Sequence, residues 1–456
     1  MNNLIRKTWQ ITFIPKASMV PGFVVVFTFC LLANTGVGDE KPNFVIIMAD
    51  DLGYGDLSCY WKNPPCKTPH LDRLAENGVR FTDFHSSGNV CSPTRAGLMT
   101  GRYQQRAGIP GVINADPKVP QHHWGLQHSE TTVAEALKSQ GYRTAVVGKW
   151  HLGYDPKFNP TTHGFDFFRG FVSGNIDYQS HYDRMETYDW WAAKEKVVEP
   201  GYSTHLITKH AVEFINKNKD KPFFLYVAHE AVHAPWQGPN DPPQRGPNKQ
   251  TLKGKANDRK QRALKEMLTE LDKGVGEIIA ALQKNKIEDN TFVFFCSDNG
   301  PAGGSSGPLR GRKGSNWEGG HRVPGIASWP GKIPKGKTSR QLGITLDLMP
   351  TLLDFAGALD SHEGNLDGIS LKPFLLDPNR NSPRKLYWNA KAMRDNDWKL
   401  MLTGNGPKAK PQLFNLASDL GERNDLAAEN ANRVQSMLKE LKAWKADVEK
   451  NATEQK

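Results

Sequence analysis

Four continuous apolar runs, each ending in polar residues able to do chemistry, restrict the fold of this chain more than any other feature of its sequence. The run 43–48 leads into Asp50-Asp51-Leu52-Gly53, and 142–148 leads into Lys149-Trp150-His151. The run 223–228 leads to His229 and His233, and 291–296 to Asp298-Asn299-Gly300. Unbroken apolar runs suit strands covered on both faces, as in a parallel sheet. Helical patterns separate them, over 131–140, 206–216 and 264–283. Alternating strands and helices predict an α/β sheet, whose ligands bind beyond the carboxyl ends of its strands. All four polar clusters fall at that edge, so one shared site is expected.

From about Arg384 the pattern changes to short strands at 386–388 and 398–402 and a terminal helix over 428–448. This predicts a smaller α+β domain over 384–456 beside a catalytic domain over 39–383. Segment 237–260, rich in Pro, Gly, Asn and Lys, reads as an exposed basic loop, and 301–308 as a Gly/Ser turn. At the N-terminus, Arg6 and Lys7 precede an apolar run over 23–33 and the small residues Gly36-Val37-Gly38. That order describes a signal peptide over 1–38, and the expected location is secreted or periplasmic. The run is shorter than the roughly 20 apolar residues of a bilayer span, so no stable membrane insertion is expected.

The formal charge is +11, of which Arg6, Lys7 and Lys16 of the leader contribute three. No Lys/Arg block marks a nucleic-acid footprint, and no nucleic-acid partner is expected. Of five cysteines, Cys30 leaves with the leader. Cys59 and Cys66 are close enough in sequence to pair in an oxidising compartment, or to stay free thiols. Cys296, inside an apolar strand, reads as a buried, inert thiol.

Cys91 remains, in Cys91-Ser92-Pro93-Thr94-Arg95-Ala96-Gly97-Leu98-Met99-Thr100-Gly101-Arg102-Tyr103. Ser92 is a good helix N-cap, Pro93 fits the first helical position, and Gly101 can end the helix. Cys91 would then sit at a helix N-terminus, where free N–H groups and the dipole attract an anion. Arg95, one turn in, can turn back towards the same point. A structural cysteine beside a helix cap is the plain alternative. This stretch resembles the signature of the type I formylglycine-dependent sulfatases, and the chain is identified on it as a member of that family.

The resemblance carries several implications. Cys91 would be oxidised to formylglycine by a separate formylglycine-generating enzyme. Asp50-Asp51 and Asp298-Asn299 resemble the two metal-binding pairs, joined by residue 91, and such oxygen ligands suit Ca²⁺. Alone, Asp-Asp-x-Gly is more often a turn. Lys149 and His151, two apart at a strand end and able to face one side, would meet the substrate sulfate and the formylglycine. His233, ahead of Ala234-Pro235, resembles the histidine at the bridging oxygen, whereas His229 reads as structural. Lys313, in Leu309-Arg310-Gly311-Arg312-Lys313-Gly314, resembles the second sulfate-binding lysine rather than a solvated loop residue.

A sulfate monoester is crowded by negative oxygens, so its nucleophile must arrive where charge is neutralised, by Ca²⁺, Lys149, Lys313, Arg95 and the helix N-terminus. Hydrated formylglycine offers two hydroxyls: one, activated by the metal and Asp298, attacks sulfur, and the other, deprotonated by His151, expels sulfate. His233 or Lys313 can protonate the leaving oxygen.

The resemblance extends through Asp347-Leu348-Met349-Pro350-Thr351 and Asp367-Gly368-Ile369-Ser370-Leu371. It implies the alkaline-phosphatase-like sandwich, a large, mostly parallel mixed sheet between helices followed by a small antiparallel domain. Residues 163–166, 170–183 and 307–313 resemble the arylsulfatase B (N-acetylgalactosamine-4-sulfatase) branch, whereas 313–316 read as a general arylsulfatase. The expected substrate is a sulfated carbohydrate, N-acetylgalactosamine-4-sulfate-like or another polysaccharide sulfate, in preference to a small aryl sulfate. Tyr178, Tyr182, Tyr188, Trp190 and Trp191 could stack on sugar rings, although packing is the commoner use of such a cluster. A formylglycine-dependent phosphonate or phosphate diester hydrolase and a non-catalytic glycan-binding homologue are the alternative readings.

Overall fold

Along the strand Asn43–Ala49, successive side chains enter two different cores. Phe44, Ile46 and Met48 pack on one side of the sheet, and Val45, Ile47 and Ala49 on the other. The strands Phe223–Ala228 and Thr291–Ser297 alternate in the same way. Burial on both faces is why polar residues in these runs are confined to their ends. The computed structural model describes residue 12 and residues 41–456, apart from 252–254, 405, 451 and 456. The signal peptide expected over 1–38 lies, except for Thr12, outside the described residues. Lys41–Lys456 form one compact unit.

Its main sheet has ten strands. Five central ones run parallel in the order Thr291–Ser297, Asn43–Ala49, Phe223–Ala228, Arg143–Lys149 and Phe167–Phe171. Met48 lies opposite both Ala228 and Cys296, and Gly148 opposite Ala228, so the carboxyl ends reach one edge together. Antiparallel Gly325–Ser328 and Trp191–Ala192 flank this block and make the sheet mixed. Helices Cys91–Thr100, Val133–Ser139 and Leu348–Phe355 cover one face. Pro69–Glu76, Ser203–Asn218 and Ala256–Lys284 cover the other. The last helix starts well before residue 264, because its first two turns project past the core and carry no apolar periodicity.

Two other expectations are corrected or resolved. The stretch after His233 is not a uniformly exposed loop: Gln237 is buried, accepting from the Tyr178 N–H at 3.0 Å and donating to Pro242 O at 3.1 Å. Cys59, Cys66, Cys91 and Cys296 are all free thiols, so Cys59 and Cys66 are not bridged, and Cys296 is buried as expected. Among the described residues, no helix is long and apolar enough to cross a membrane.

The smaller sheet has four antiparallel strands, Lys385–Trp388, Ala392–Asp395, Trp398–Thr403 and Lys410–Asn415. Helix Ala431–Lys450 packs Val434, Met437, Leu441 and Trp444 onto Trp388, Leu400 and Leu413. Between the two sheets lies a buried ion network. Glu318 pairs with Lys399 at 2.9 Å, Arg394 at 3.1 Å and Arg322 at 3.3 Å. Asp83 pairs with Arg394 at 2.9 Å and Arg322 at 3.1 Å, and Glu422 with Lys399 at 2.8 Å.

Candidate active site

The strand ends position the acidic half of the site through their own backbones. Asp50 N–H donates to Ala231 O at 3.0 Å, and Asp298 N–H to Ala49 O at 3.1 Å. Asp51 adopts a left-handed backbone with φ 61°, unfavourable for a non-glycine residue. It is held there by its N–H to Asp298 Oδ1 at 3.2 Å and by Asn299 Nδ2 donating to its Oδ1 at 2.7 Å. Three carboxylates and an amide thereby converge from two adjacent strands.

The helix Cys91–Thr100 brings the fifth group. Its N-cap is Val90, in extended conformation, and Cys91 is the first helical residue. Ser92 is therefore not the cap, and Pro93 falls at the third position. The Ser92 hydroxyl instead accepts from Ile113 N–H at 3.1 Å and ties the cavity wall to the helix. Gly101 ends the helix as expected, in the left-handed conformation at φ 63°.

Cations face each carboxylate. Arg95 places Nη2 at 2.9 Å and Nε at 3.2 Å from Asp298 Oδ2. Its Nη1 donates to Lys149 O at 3.0 Å. Lys149 Nζ meets Asp50 Oδ2 at 2.5 Å, and Lys313 Nζ meets Asp51 Oδ1 at 2.6 Å. Cys91 Sγ lies 3.5 Å from both Asp50 Oδ1 and Lys313 Nζ. Burial opposes the ionisation of Asp50, but Lys149, His233 and Arg95 outweigh it and hold its carboxyl below the ordinary value. Burial likewise opposes the charge on Lys149 and Lys313, but the facing acids and Cys91 raise both above the usual lysine range. The Cys91 thiol is pushed up to about 12, by burial and then by Asp50. As a thiol it is therefore protonated at neutral pH and a poor nucleophile.

Lys149 and His151 do not share one side as strand alternation predicts, because His151 turns left-handed at φ 55°. Lys149 stays buried behind Asp50, while the His151 ring lines a cavity of about 210 Å³ with Cys91, His233, Lys313, Tyr154 and Arg184. A side chain at position 174 would reach the His151 ring at 2.9 Å, so Gly174 permits this close approach. His151 Nε2–H donates to Ile113 O at 3.0 Å, which leaves Nδ1 without a partner among the described residues. Burial and then Lys149 hold its pKa well below the ordinary value. His233 Nδ1–H donates to Ala234 O at 2.6 Å, and its Nε2 lies 3.6 Å from Asp51 Oδ2. Burial lowers its pKa despite Asp51 and Asp50. All the sequence-predicted site residues are thus brought together, with Lys149 beneath the cavity rather than on its wall.

His229 is fully buried, has no partner at either ring nitrogen among the described residues, and is held neutral by burial, which lowers its pKa to about 3. Tyr178 and Trp190 are fully buried and cannot stack on a ligand; Tyr178 OH donates to His233 O at 2.9 Å. Asp56 lies outside the cavity lining and closes the turn after Asp51: it accepts from Gly53 N–H at 2.8 Å and Ser305 N–H at 2.7 Å and is raised by burial to about 7. On the cavity wall, Asn175 falls inside the 170–183 stretch singled out by resemblance, whereas sequence reasoning missed Arg184, just beyond that stretch in irregular chain that gives no signal.

The oxygens of Asp50, Asp51, Asp298 and Asn299 make a donor set suited to a hard cation. Asn299 Oδ1 is buried without a partner among the described residues, an acceptor left open on that set. Asp50, Asp51, Cys91 and His233 place possible ligand atoms within 4.8 Å of one another. These residues fit a bound Ca²⁺.

The model of the Sulfatase family matches residues 42–358. N-acetylgalactosamine-6-sulfatase of Canis lupus familiaris is 36% identical over 375 residues, 76% of this chain and 69% of that protein. Arylsulfatase A of Homo sapiens is 37% identical over 381 residues, 76% of this chain and 70% of that protein. Among solved structures, Ps i-CgsB in complex with k-i-k-neocarrahexaose is similar with a TM-score of 0.77 at 29% identity, covering 91% of this chain and 95% of that one.

Proposed function

This chain belongs to the sulfatase family of sulfuric ester hydrolases, and from that premise we propose that it releases sulfate from a sulfated glycan through a formylglycine made from Cys91 beside a bound Ca²⁺. The observation that carries the reading is the convergence on one cavity edge of Cys91 at a helix N-terminus, three carboxylates and three cations. The thiol pushed up to about 12 supports it too, because the unmodified residue would have little reactivity there.

Asp50, Asp51, Asp298 and Asn299 would hold Ca²⁺, which when bound supplies positive charge against the ester oxygens. A formylglycine at position 91 would supply, as its hydrate, one hydroxyl as the nucleophile towards sulfur and a second hydroxyl whose ionisation would let sulfate leave. Lys313, 3.5 Å from the Cys91 sulfur that marks the position of those hydroxyls, stays protonated and directs N–H groups at the sulfate oxygens. Arg95 fixes Asp298 by its fork, and Lys149 keeps Asp50 ionised. The His233 tautomer set by Ala234 O leaves Nε2 facing Asp51, where a proton can be held between them for the leaving oxygen. His151, neutral and with Nδ1 unpartnered, is the proton acceptor at the cavity wall.

The glycan assignment draws support from the relatives, an N-acetylgalactosamine-6-sulfatase and a structure in complex with k-i-k-neocarrahexaose. The N-terminal sequence pattern supports export before action, with a formylglycine-generating enzyme as the maturation partner. The test is sulfate release from 4- and 6-sulfated N-acetylgalactosamine and from carrageenan oligosaccharides, with protein co-produced with such an enzyme. Release that disappears in Cys91→Ala is expected. Turnover of a phosphate diester with none of any sulfate ester would overturn the assignment.

A further inference from the structure

Arg184 lines the cavity and stands apart from the cations of the acidic cluster beside it. Arg95, Lys149 and Lys313 are each paired with an aspartate, whereas the exposed guanidinium of Arg184 makes no hydrogen bond or ion pair among the described residues. Acidic neighbours are present but occupied. Asp183 accepts from Met185 N–H at 2.8 Å and Thr187 N–H at 2.9 Å. Glu186 accepts from Gly246 N–H at 2.5 Å and Lys249 Nζ at 2.9 Å. Asp189 accepts from Ser173 N–H at 2.8 Å and from Val172 N–H and Trp191 Nε1. The charge of Arg184 is thus presented to the cavity without a partner of its own.

The backbone beneath it is fixed. Asp183 N–H donates to Thr187 O at 2.8 Å and Glu186 N–H to Asp183 O at 3.1 Å, closing a tight turn whose tip is Arg184-Met185. Bridges Ile176 to Asp183 and Tyr182 to Tyr188 tie the turn to its surroundings. Only the side chain itself would then be ordered on binding, which keeps the entropic cost low. A guanidinium has five donors and no acceptor, and its planar fork matches a carboxylate or a sulfate. Lys313 and the proposed Ca²⁺ already serve the sulfate at position 91, on the same cavity.

We propose that Arg184 reads a second anionic group of the substrate, a carboxylate or a further sulfate ester near the sulfate being cleaved, so that polyanionic glycans are preferred over singly sulfated neutral ones. This rests on the glycan sulfatase reading above. The test is calorimetric titration of full-length Cys91→Ala protein, with and without Arg184→Ala, against three sulfated disaccharides: a neutral one, one with a uronate neighbour, and one carrying a second sulfate. With Arg184 present, at least one dianionic ligand binds about 10-fold or more tighter than the neutral one, as expected for a charge-assisted bidentate contact. Arg184→Ala removes that preference and Arg184→Lys retains part of it. Tighter binding of the uronate ligand alone identifies a carboxylate, and of the disulfated ligand alone a sulfate. Equal affinity for all three, or a preference that survives Arg184→Ala, overturns the proposal. Because Cys91→Ala protein cannot turn over, the two readings fail separately. A preference with no sulfate release by the modified enzyme removes only the hydrolase; release without preference removes only the role of Arg184.

Discussion

At the strand edge, Asp50, Asp51 and Asp298 face Arg95, Lys149 and Lys313; between the two sheets, Asp83, Glu318 and Glu422 face Arg322, Arg394 and Lys399. Each set opposes three carboxylates to three cations in a buried setting, so neither burial nor charge count separates them. What differs is where unused bonding capacity points. In the junction set, His85 Nε2–H donates to Asp83 at 2.8 Å, its Nδ1 accepts from His321 Nδ1–H at 2.9 Å, and His321 Nε2 faces Lys399 Nζ at 3.4 Å. Its His85, Glu318 and His321 have metal-like spacing, but they are encircled by cations and closed on one another. In the edge set, Asn299 Oδ1 has no partner among the described residues and Lys313 opens on the cavity with 21% of its side chain exposed. A buried charge cluster becomes a site when its pairing is incomplete towards a space a ligand can enter.

One lysine from each set sharpens that contrast most. Lys399→Met leaves Glu318 and Glu422 buried against each other and is expected to cost about 3–5 kcal/mol of stability, read by denaturant unfolding, with turnover per folded molecule retained. Lys313→Ala is expected to do the reverse, lowering kcat for sulfate release by about 10²–10³-fold while the unfolding midpoint stays near that of the parent. If both variants lost stability and neither lost turnover specifically, the distinction between the sets would collapse.

Calcium should also discriminate. At roughly 100 times its dissociation constant it should stabilise the protein by about 2.7 kcal/mol, an effect read as a thermal shift and reversed by a chelator. Asp51→Asn should abolish the shift and Lys399→Met should keep it. The opposite pattern would move the cation to the junction.

The smallest effect expected is acid lability. Burial lowers the pKa of His85 and, more strongly, of His321. The unfolded chain therefore takes up protons near pH 6.5 that these rings refuse when folded, so stability falls as pH drops through that value. His151 and His233 add the same sign. Burial opposes the ionisation of Glu318, but Lys399 and Arg394 hold it well below the usual range, so its stabilisation is lost only below about pH 4.3. Glu422, raised by burial, works the other way. The thermal midpoint should be lower at pH 5 than at pH 7.5, and an unchanged midpoint would contradict this account.

The edge set was legible in the sequence and the junction set was not, for a physical reason. Asp50, Lys149, His233 and Asp298 each follow an apolar run, and parallel register carries run ends to one place. Asp83, Glu318, Arg394, Lys399 and Glu422 are scattered through the chain, and each resembles an ordinary surface charge until the folded chain brings them together. Ala392–Asp395 and Lys410–Asn415 escaped notice because a buried arginine and a proline break their apolar pattern. The start of the helix at Cys91 was misplaced by Ser92, whose hydroxyl serves Ile113 rather than the helix end. The left-handed turn at His151 left no sequence signal that separates it from Lys149.

The most direct measurement is the mass of the peptide containing residue 91, from protein isolated from its own host. The account predicts that the cysteine sulfur is gone and an aldehyde, or its hydrate, stands in its place, reactive towards a hydrazine probe. An intact Cys91 at full occupancy would contradict it, because a buried thiol pushed up to about 12 leaves the cavity without a competent nucleophile.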